Sequence, residues 1–178
     1  MKLRESTIES LSSSIRITAQ VFVEALQQGH KVLVFGNGGS AADAQHFVGE
    51  LLGRYYQNRQ PLPAISLSAD TSVGTCISND FGFNEIFARQ IQALAEPGDI
   101  AVGISTSGRS ANILRAFEAA KKAGAATIAL TGAAGLHDED VDFELSVPSK
   151  STARIQEEHT AILHCWCEAI DRAFAVVT

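Results

Sequence analysis

The chain is poor in the features that mark several large classes of protein. Of its 178 residues only 14 are Lys or Arg against 20 Asp or Glu, a formal net charge of −6, and no basic cluster stands out. Nucleic acids and anionic membrane surfaces need concentrated positive charge, so both are disfavoured as partners. No apolar run approaches the roughly 18 residues that span a bilayer. The opening Met1-Lys2-Leu3-Arg4-Glu5-Ser6 leads into an amphipathic pattern rather than an apolar leader. These absences predict a cytoplasmic protein. Cysteines number three. Cys76 is isolated, and Cys165 and Cys167 lie two apart on a predicted helix, where they point to different sides and do not readily pair. All three read as small buried hydrophobes. The motif Gly-x-x-x-x-Gly-Lys-[Ser/Thr] occurs nowhere, which excludes a P-loop.

What is present is a globular composition, 46% hydrophobic and 19% charged, in a length that suits one domain over residues 1–178. Helical periodicity runs over 5–28, with Ile8, Leu11, Ile15, Phe22 and Leu26 in one stripe and Ile17, Val21 and Val23 widening it, until Gly29. Short apolar runs at 31–35, 64–67, 100–104, 127–130 and 143–147 read as strands. Helical patterns at 40–53, 71–78, 83–95, 110–123 and 152–176 alternate with them, and 132–140 reads as a loop. This alternation predicts an α/β fold: a five-stranded parallel sheet, doubly wound and flavodoxin-like, flanked by helices with long ones at both ends. Ligands of such sheets bind beyond the C-terminal strand ends, near the point where strand order reverses.

Two loops fall at such ends. In 101–110 an apolar run stops at Ser105, and Ser105, Thr106, Ser107 and Ser110 crowd around Gly108 before a helix. Free N–H groups, a positive helix end and several hydroxyls make a site for one phosphate-sized anion. The same composition also arises as ordinary capping and loop polarity. Gly36-Asn37-Gly38-Gly39-Ser40-Ala41 matches the dinucleotide fingerprint. However, residues 54–60 carry no acid for a ribose and Asp70 comes too late, so no nucleotide cofactor is expected. The loop reads as a tight turn that brings backbone to a small polar ligand, and Ser40 with Asp43 is also compatible with a capping box.

His46 and Glu50, four apart, share a helix face. Such a pair can hold a divalent metal, supply an acid or base, or simply face solvent. On the last helix Gln156, Thr160 and His164 form a polar stripe at i, i+4, i+8, which faces either a ligand or hydrogen-bonded core groups. Periodicity alone does not separate His159 from His164.

Taken together, Asn37-Gly38-Gly39-Ser40, His46-x-x-x-Glu50, Asn79-Asp80, Ser105-Thr106-Ser107-Gly108-x-Ser110 and Arg154-Ile155-Gln156-Glu157-x-His159 with His164 resemble the phosphoheptose isomerase family of the sugar isomerase (SIS) fold. The resemblance covers roughly residues 5–174. It implies conversion of sedoheptulose 7-phosphate to D-glycero-D-manno-heptose 7-phosphate by an enediol route, an early step of activated-heptose and lipopolysaccharide synthesis. It implies that Ser105, Thr106, Ser107 and Ser110 hold the phosphate with Asn37, Gly38, Gly39 and Ser40 nearby, and that Asn79 and Asp80 contact substrate hydroxyls. By the same resemblance Glu50 and His164 are the acid/base pair. His46, Glu50, Gln156 and His164 are zinc ligands in members that carry a metal, with Glu50 and Gln156 also contacting substrate. The assembly implied is a homotetramer with active sites between subunits. The segment 132–140 is shorter and less rich in Gly and Asp than is usual in the family. Gln156 and His164 stand about 12 Å apart in helix rise, so they meet at one ion only through converging side chains. The rival readings are a non-catalytic sugar-phosphate sensor or replication regulator on the same fold, and an isomerase of another phosphosugar.

Overall fold

The computed structural model describes residues 2–136 and 141–175. The expected loop over 132–140 therefore falls partly outside the described residues. Five strands, β1 (Val32–Gly36), β2 (Ala64–Ser66), β3 (Ile100–Ser105), β4 (Ala126–Thr131) and β5 (Phe143–Ser146), form one parallel sheet in the order β2-β1-β3-β4-β5. Every residue of β1 and β3 is buried, because helices cover both faces. Val32, Val34, Val102, Ile104, Ile128 and Leu130 point to one face. They pack under α1 (Lys2–Gln27), α2 (Gly39–Leu52) and α6 (Thr152–Phe174). Leu33, Phe35, Ala101 and Ala129 point to the other, under α4 (Ala88–Leu94) and α5 (Ala111–Lys122).

The sheet and helices match the sequence-based expectation, with local differences. The predicted helix over 83–95 is split. Residues 83–85 make a 3₁₀ turn, with the N–H of Glu85 donating to Gly82 O and that of Ile86 to Phe83 O, and α4 starts only at Ala88. Helix α3 (Thr71–Phe81) runs to Gly82, whose φ of 89° stops it. No capping box forms at Ser40 and Asp43, because the residue preceding α2 is Gly38, with no side-chain cap. Of the cysteines only Cys167 is buried; Cys76 and Cys165 are exposed, since each falls on the outer side of its helix. Ile8 and Ile17 also stay exposed, at 56% and 51%. The core of α1 instead takes in Thr18 and Ala19. Among the described residues no helix is long and apolar enough to cross a membrane.

The three helices on the first face are locked by aromatic contacts. The Phe22, Phe47 and Trp166 rings lie 4.9–5.9 Å apart, and the Trp166 indole donates to Thr18 Oγ1 at 2.9 Å. Each aromatic pair adds about 0.5–1.5 kcal/mol beyond burial. This cluster lies beside His46 and two residues beyond His164, so it sets how α2 and α6 meet.

Candidate active site

In this strand order the chain runs outward from β1 to β2 and returns to β3, so a crevice opens between the C-terminal ends of β1 and β3. The loops at 36–39 and 105–110 emerge there side by side. They are joined by a reciprocal amide pair: Asn37 Nδ2 donates to Asn112 Oδ1 at 3.0 Å and Asn112 Nδ2 to Asn37 Oδ1 at 2.9 Å. Gly36 allows the first loop its tightness, since a Cβ there would overlap the Ser40 backbone. Part of the Asn37 side chain is thus committed to holding the loops together. Buried Asn112 was missed from sequence because it reads as an ordinary first-turn residue.

The second loop is organised from within. Ser105 Oγ, buried, accepts the Gly108 N–H at 3.2 Å and donates to Ser110 Oγ at 3.4 Å. Ser107 Oγ accepts the Arg109 N–H at 3.3 Å. Gly108 has φ of 66°, and a Cβ on it would collide with the Gly135 carbonyl. Ser105 therefore shapes the loop, whereas Thr106, Ser107 and Ser110 are the more accessible hydroxyls. Ser110 precedes α5 without a side-chain cap bond, which leaves the helix's opening N–H groups for a ligand. Helices α2 and α6 likewise start without a side-chain cap bond. By contrast Asp70 caps α3 through both Ser72 and Val73 N–H groups. A cleft of about 250 Å³ opens beside the loop, lined by Thr106, Ser107, Arg109, Ser149, Lys150 and Thr152 among others. Arg109 and Lys150 bring positive charge to it. They escaped sequence reading because they are 41 residues apart and join only when β5 pairs with β4.

The polar stripe of α6 meets α2 rung by rung. The Gln156 amide lies against Gly39, where a Cβ would overlap it. Thr160 Oγ1 donates to Asp43 Oδ1 at 3.1 Å. His164 Nε2 is 2.8 Å from His46 Nε2, and Glu50 Oε1 is 3.7 Å from the same His46 nitrogen. At 2.8 Å one imidazole donates and the other accepts, so one Nε2 proton is shared between the two rings. Burial pushes the Asp43 carboxyl up, against the pull of the Thr160 hydroxyl and the His46 charge. The second oxygen of Asp43 is buried without a partner among the described residues.

His159 and His164 are now separable. His159 is fully buried and hydrogen-bonds to Thr131 O through Nε2 at 3.0 Å. A carbonyl accepts, so Nε2 carries the proton. Burial pushes its pKa down to about 4, with the Thr131 carbonyl pulling the other way. It is a neutral brace under the β4 end, while His164 is partly exposed against His46.

Among the sequence-derived site residues, the fold therefore gathers Asn37, Gly38, Gly39, Ser40, Ser105, Thr106, Ser107 and Ser110 at the crevice, and His46, Glu50 and His164 along α2 and α6. Gln156 lies two rungs from the imidazole pair. Asn79 and Asp80 are exposed near the end of α3, where Asn79 Nδ2 donates to Asp80 Oδ1 at 2.7 Å. Two imidazoles and a carboxylate are a zinc-type donor set. Nitrogens sharing a tetrahedral ion at about 2.0–2.1 Å stand about 3.3 Å apart, so the 2.8 Å contact is a hydrogen bond. Among the described residues no group of three or more His, Cys, Asp and Glu is placed to hold an ion.

Residues 1–132 match the model of the SIS domain family. The phosphoheptose isomerase of Campylobacter concisus is 51% identical over 166 residues, covering 93% of this chain and 88% of that protein. Two solved structures, phosphoheptose isomerases from Francisella tularensis and Neisseria gonorrhoeae, superpose with TM-scores of 0.90 and 0.86. Both are 42% identical, and each comparison covers 96% of this chain and 92% of the other.

Proposed function

The chain belongs to the phosphoheptose isomerase family of SIS-domain proteins, and from that premise we propose that it interconverts sedoheptulose 7-phosphate and D-glycero-D-manno-heptose 7-phosphate through an enediol. It is an isomerase. The observation that carries the specific reaction is the two-part site. An anion loop with an open helix end lies in one crevice wall, and a carboxylate beside a proton-sharing imidazole pair lies on the neighbouring helices.

The phosphate goes to Thr106, Ser107, Ser110 and the α5 N-terminus, with Ser105 holding the loop in shape and Asn37 to Ser40 at its side. Asn79 and Asp80 are assigned to the substrate hydroxyls. At the other end Glu50 takes the C1 proton of the ketose while His164 gives a proton to O2, forming the enediol. Glu50 then returns the proton to C2 and His164 takes the one on O1, leaving the C1 aldehyde. His46 supports this exchange because its Nε2 already shares a proton with His164.

We extend the proposal to a zinc ion as an alternative occupant of the same groups, for which His46, Glu50, Gln156 and His164 would be the ligands in place of the proton the two imidazoles share; their donor types suit it, and when bound it would polarise the substrate carbonyl. A homotetramer with shared active sites is proposed as well. Ile8, Ile17, Phe81 and Phe83, all more than half exposed, support burial against further copies. The deciding experiment is incubation with sedoheptulose 7-phosphate in deuterated water. Formation of the aldose with solvent deuterium at C2 is expected. A folded protein that forms no aldose overturns the reaction.

A further inference from the structure

The segment between α2 and β2, notable in the sequence for carrying no acid over 54–60, supplies the cation of an ion pair cut off from solvent. The Arg59 and Asp171 side chains are 1% and 2% exposed. Arg59 Nε donates to Asp171 Oδ1 at 2.8 Å. Its other nitrogens turn to carbonyls: at the end of α2, Nη2 donates to Glu50 O at 2.7 Å and Nη1 to Leu51 O at 2.9 Å, and Nη1 also donates to Gln60 O, in its own segment, at 3.1 Å. Asp171, on α6, also accepts the N–H groups of Tyr56 and Gln57 through Oδ2 at 2.6 and 2.8 Å. Next to these, the Tyr55 ring lies 5.3 Å from the His164 ring, inclined at 36°.

The guanidinium thus closes carbonyls that the last turn of α2 leaves open, and one of them belongs to Glu50. Its counterion stands two helical turns beyond His164 on α6, and the segment between them presents a ring to that imidazole. A buried ion pair adds little net stability over apolar side chains of the same volume, so its value here is geometric. We propose that Arg59 and Asp171 are positioning residues: through the 54–60 segment they fix the Glu50 end of α2 and the His164 ring relative to each other for proton transfer. This rests on the acid/base assignment above. Burial pushes Asp171 up, but the Gln57 and Tyr56 N–H bonds and Arg59 overcome it and hold the carboxyl below its ordinary value, so the pair stays ionised at neutral pH.

Arg59→Lys keeps the charge but not a fork able to reach Asp171 and two carbonyls together. Tyr55→Leu leaves the ion pair intact and removes the ring on His164. In both, kcat is expected to fall about tenfold to a hundredfold, the size of a small misplacement of reacting groups. KM should stay within about twofold, because the anion loop lies on other segments. A second readout needs no substrate. The imidazole NMR signals of His164 should shift in both variants, in Tyr55→Leu by more than loss of the Tyr55 ring current accounts for, while the amide signals of Ser105–Ser110 stay in place. Shifted His164 signals in a protein whose wild type fails to isomerise the heptose would support the clasp and sink the substrate. Unmoved His164 signals, or kcat unchanged in folded variants, overturn the positioning role whatever the substrate. If Arg59→Lys does not fold, Tyr55→Leu decides on the same two readouts.

Discussion

The anion loop and the imidazole pair are two halves of one site built in opposite ways. The loop is local: the hydrogen bonds that shape it join residues no more than five apart, Ser105 with Gly108 and Ser110, Ser107 with Arg109. It begins where β3 ends in register with β4, at Ser105 opposite Thr131. The pair is remote: His46 and His164 are 118 residues apart and meet only because α1, α2 and α6 lock through Phe22, Phe47 and Trp166. Loss of tertiary packing should therefore reach turnover before it reaches anion binding.

The sharpest test of that division is Glu50→Gln beside His164→Gln. Each removes one proton carrier and keeps a polar side chain of similar reach. Each should lower kcat by about 10²–10⁴-fold, the usual size of general acid–base catalysis, with substrate still bound. The double variant should lose less than the product of the two, because both residues serve one reaction coordinate. Solvent exchange of the carbon-bound proton should vanish in Glu50→Gln and survive, slowed, in His164→Gln. Near-wild-type turnover in a folded Glu50→Gln protein would break the comparison, since the helix pair would then do no chemistry.

The same contrast explains what could be read from the sequence. The sheet, its helices and the hydroxyl-rich loop were legible because each is announced by neighbouring residues: an apolar run, then Ser and Gly, then a helical period. Periodicity also placed Gln156, Thr160 and His164 on one face of α6. It did not say what they face, because the partner surface lies on another helix. Only the fold shows that Gly39, Asp43 and His46 meet them in turn. Arg59 and Asp171 were illegible for the same reason, as was the amide pair of Asn37 and Asn112. The alternative reading of Ser40 and Asp43 as a capping box fails because a glycine at 38 already turns the chain into α2.

His159 sharpens the comparison from the helix that both halves share. Its bond to Thr131 O ties α6 to the strand end beside Ser105. The folded protein holds this ring neutral, with its pKa lowered to about 4, whereas in the unfolded chain it titrates near 6.5. Between those values the unfolded state binds more protons. The stability this group contributes is therefore complete above pH 6.5 and declines as pH falls towards 4, by about 3 kcal/mol in all. Asp171 and Asp99, both held below their ordinary values, lose their contributions only at lower pH, below the unfolded carboxylate range. His159→Gln retains a donor for the Thr131 carbonyl and removes the titration. Urea unfolding from pH 4 to 7 should show the slope shrink in this variant. An unchanged slope would mean that the ring is protonated at no cost.

The smallest effect concerns the loop itself and separates its hydroxyls from one another. Ser107 is exposed and, among the described residues, its hydroxyl bonds to the Arg109 N–H within its own loop. Ser110 leaves α5 without a side-chain cap. Ser105 is buried and carries the Gly108 N–H. An anion held by the first two is held equally in the ground and transition states, so their loss should raise KM with little change in kcat. Ser107→Ala should raise KM about tenfold, the roughly 1.4 kcal/mol expected for one hydrogen bond to a charged group set against solvent. Ser105→Ala should instead lower stability, by about 0.5–1.5 kcal/mol, because the Gly108 N–H keeps only its second acceptor, the Ser105 carbonyl at 3.2 Å. Steady-state kinetics and thermal unfolding of the three single variants decide the matter. Unchanged KM in both Ser107→Ala and Ser110→Ala would remove the loop from the site. A fall in kcat as large as that of Glu50→Gln would show instead that the two halves act as one, and that the division between local binding and long-range chemistry does not hold.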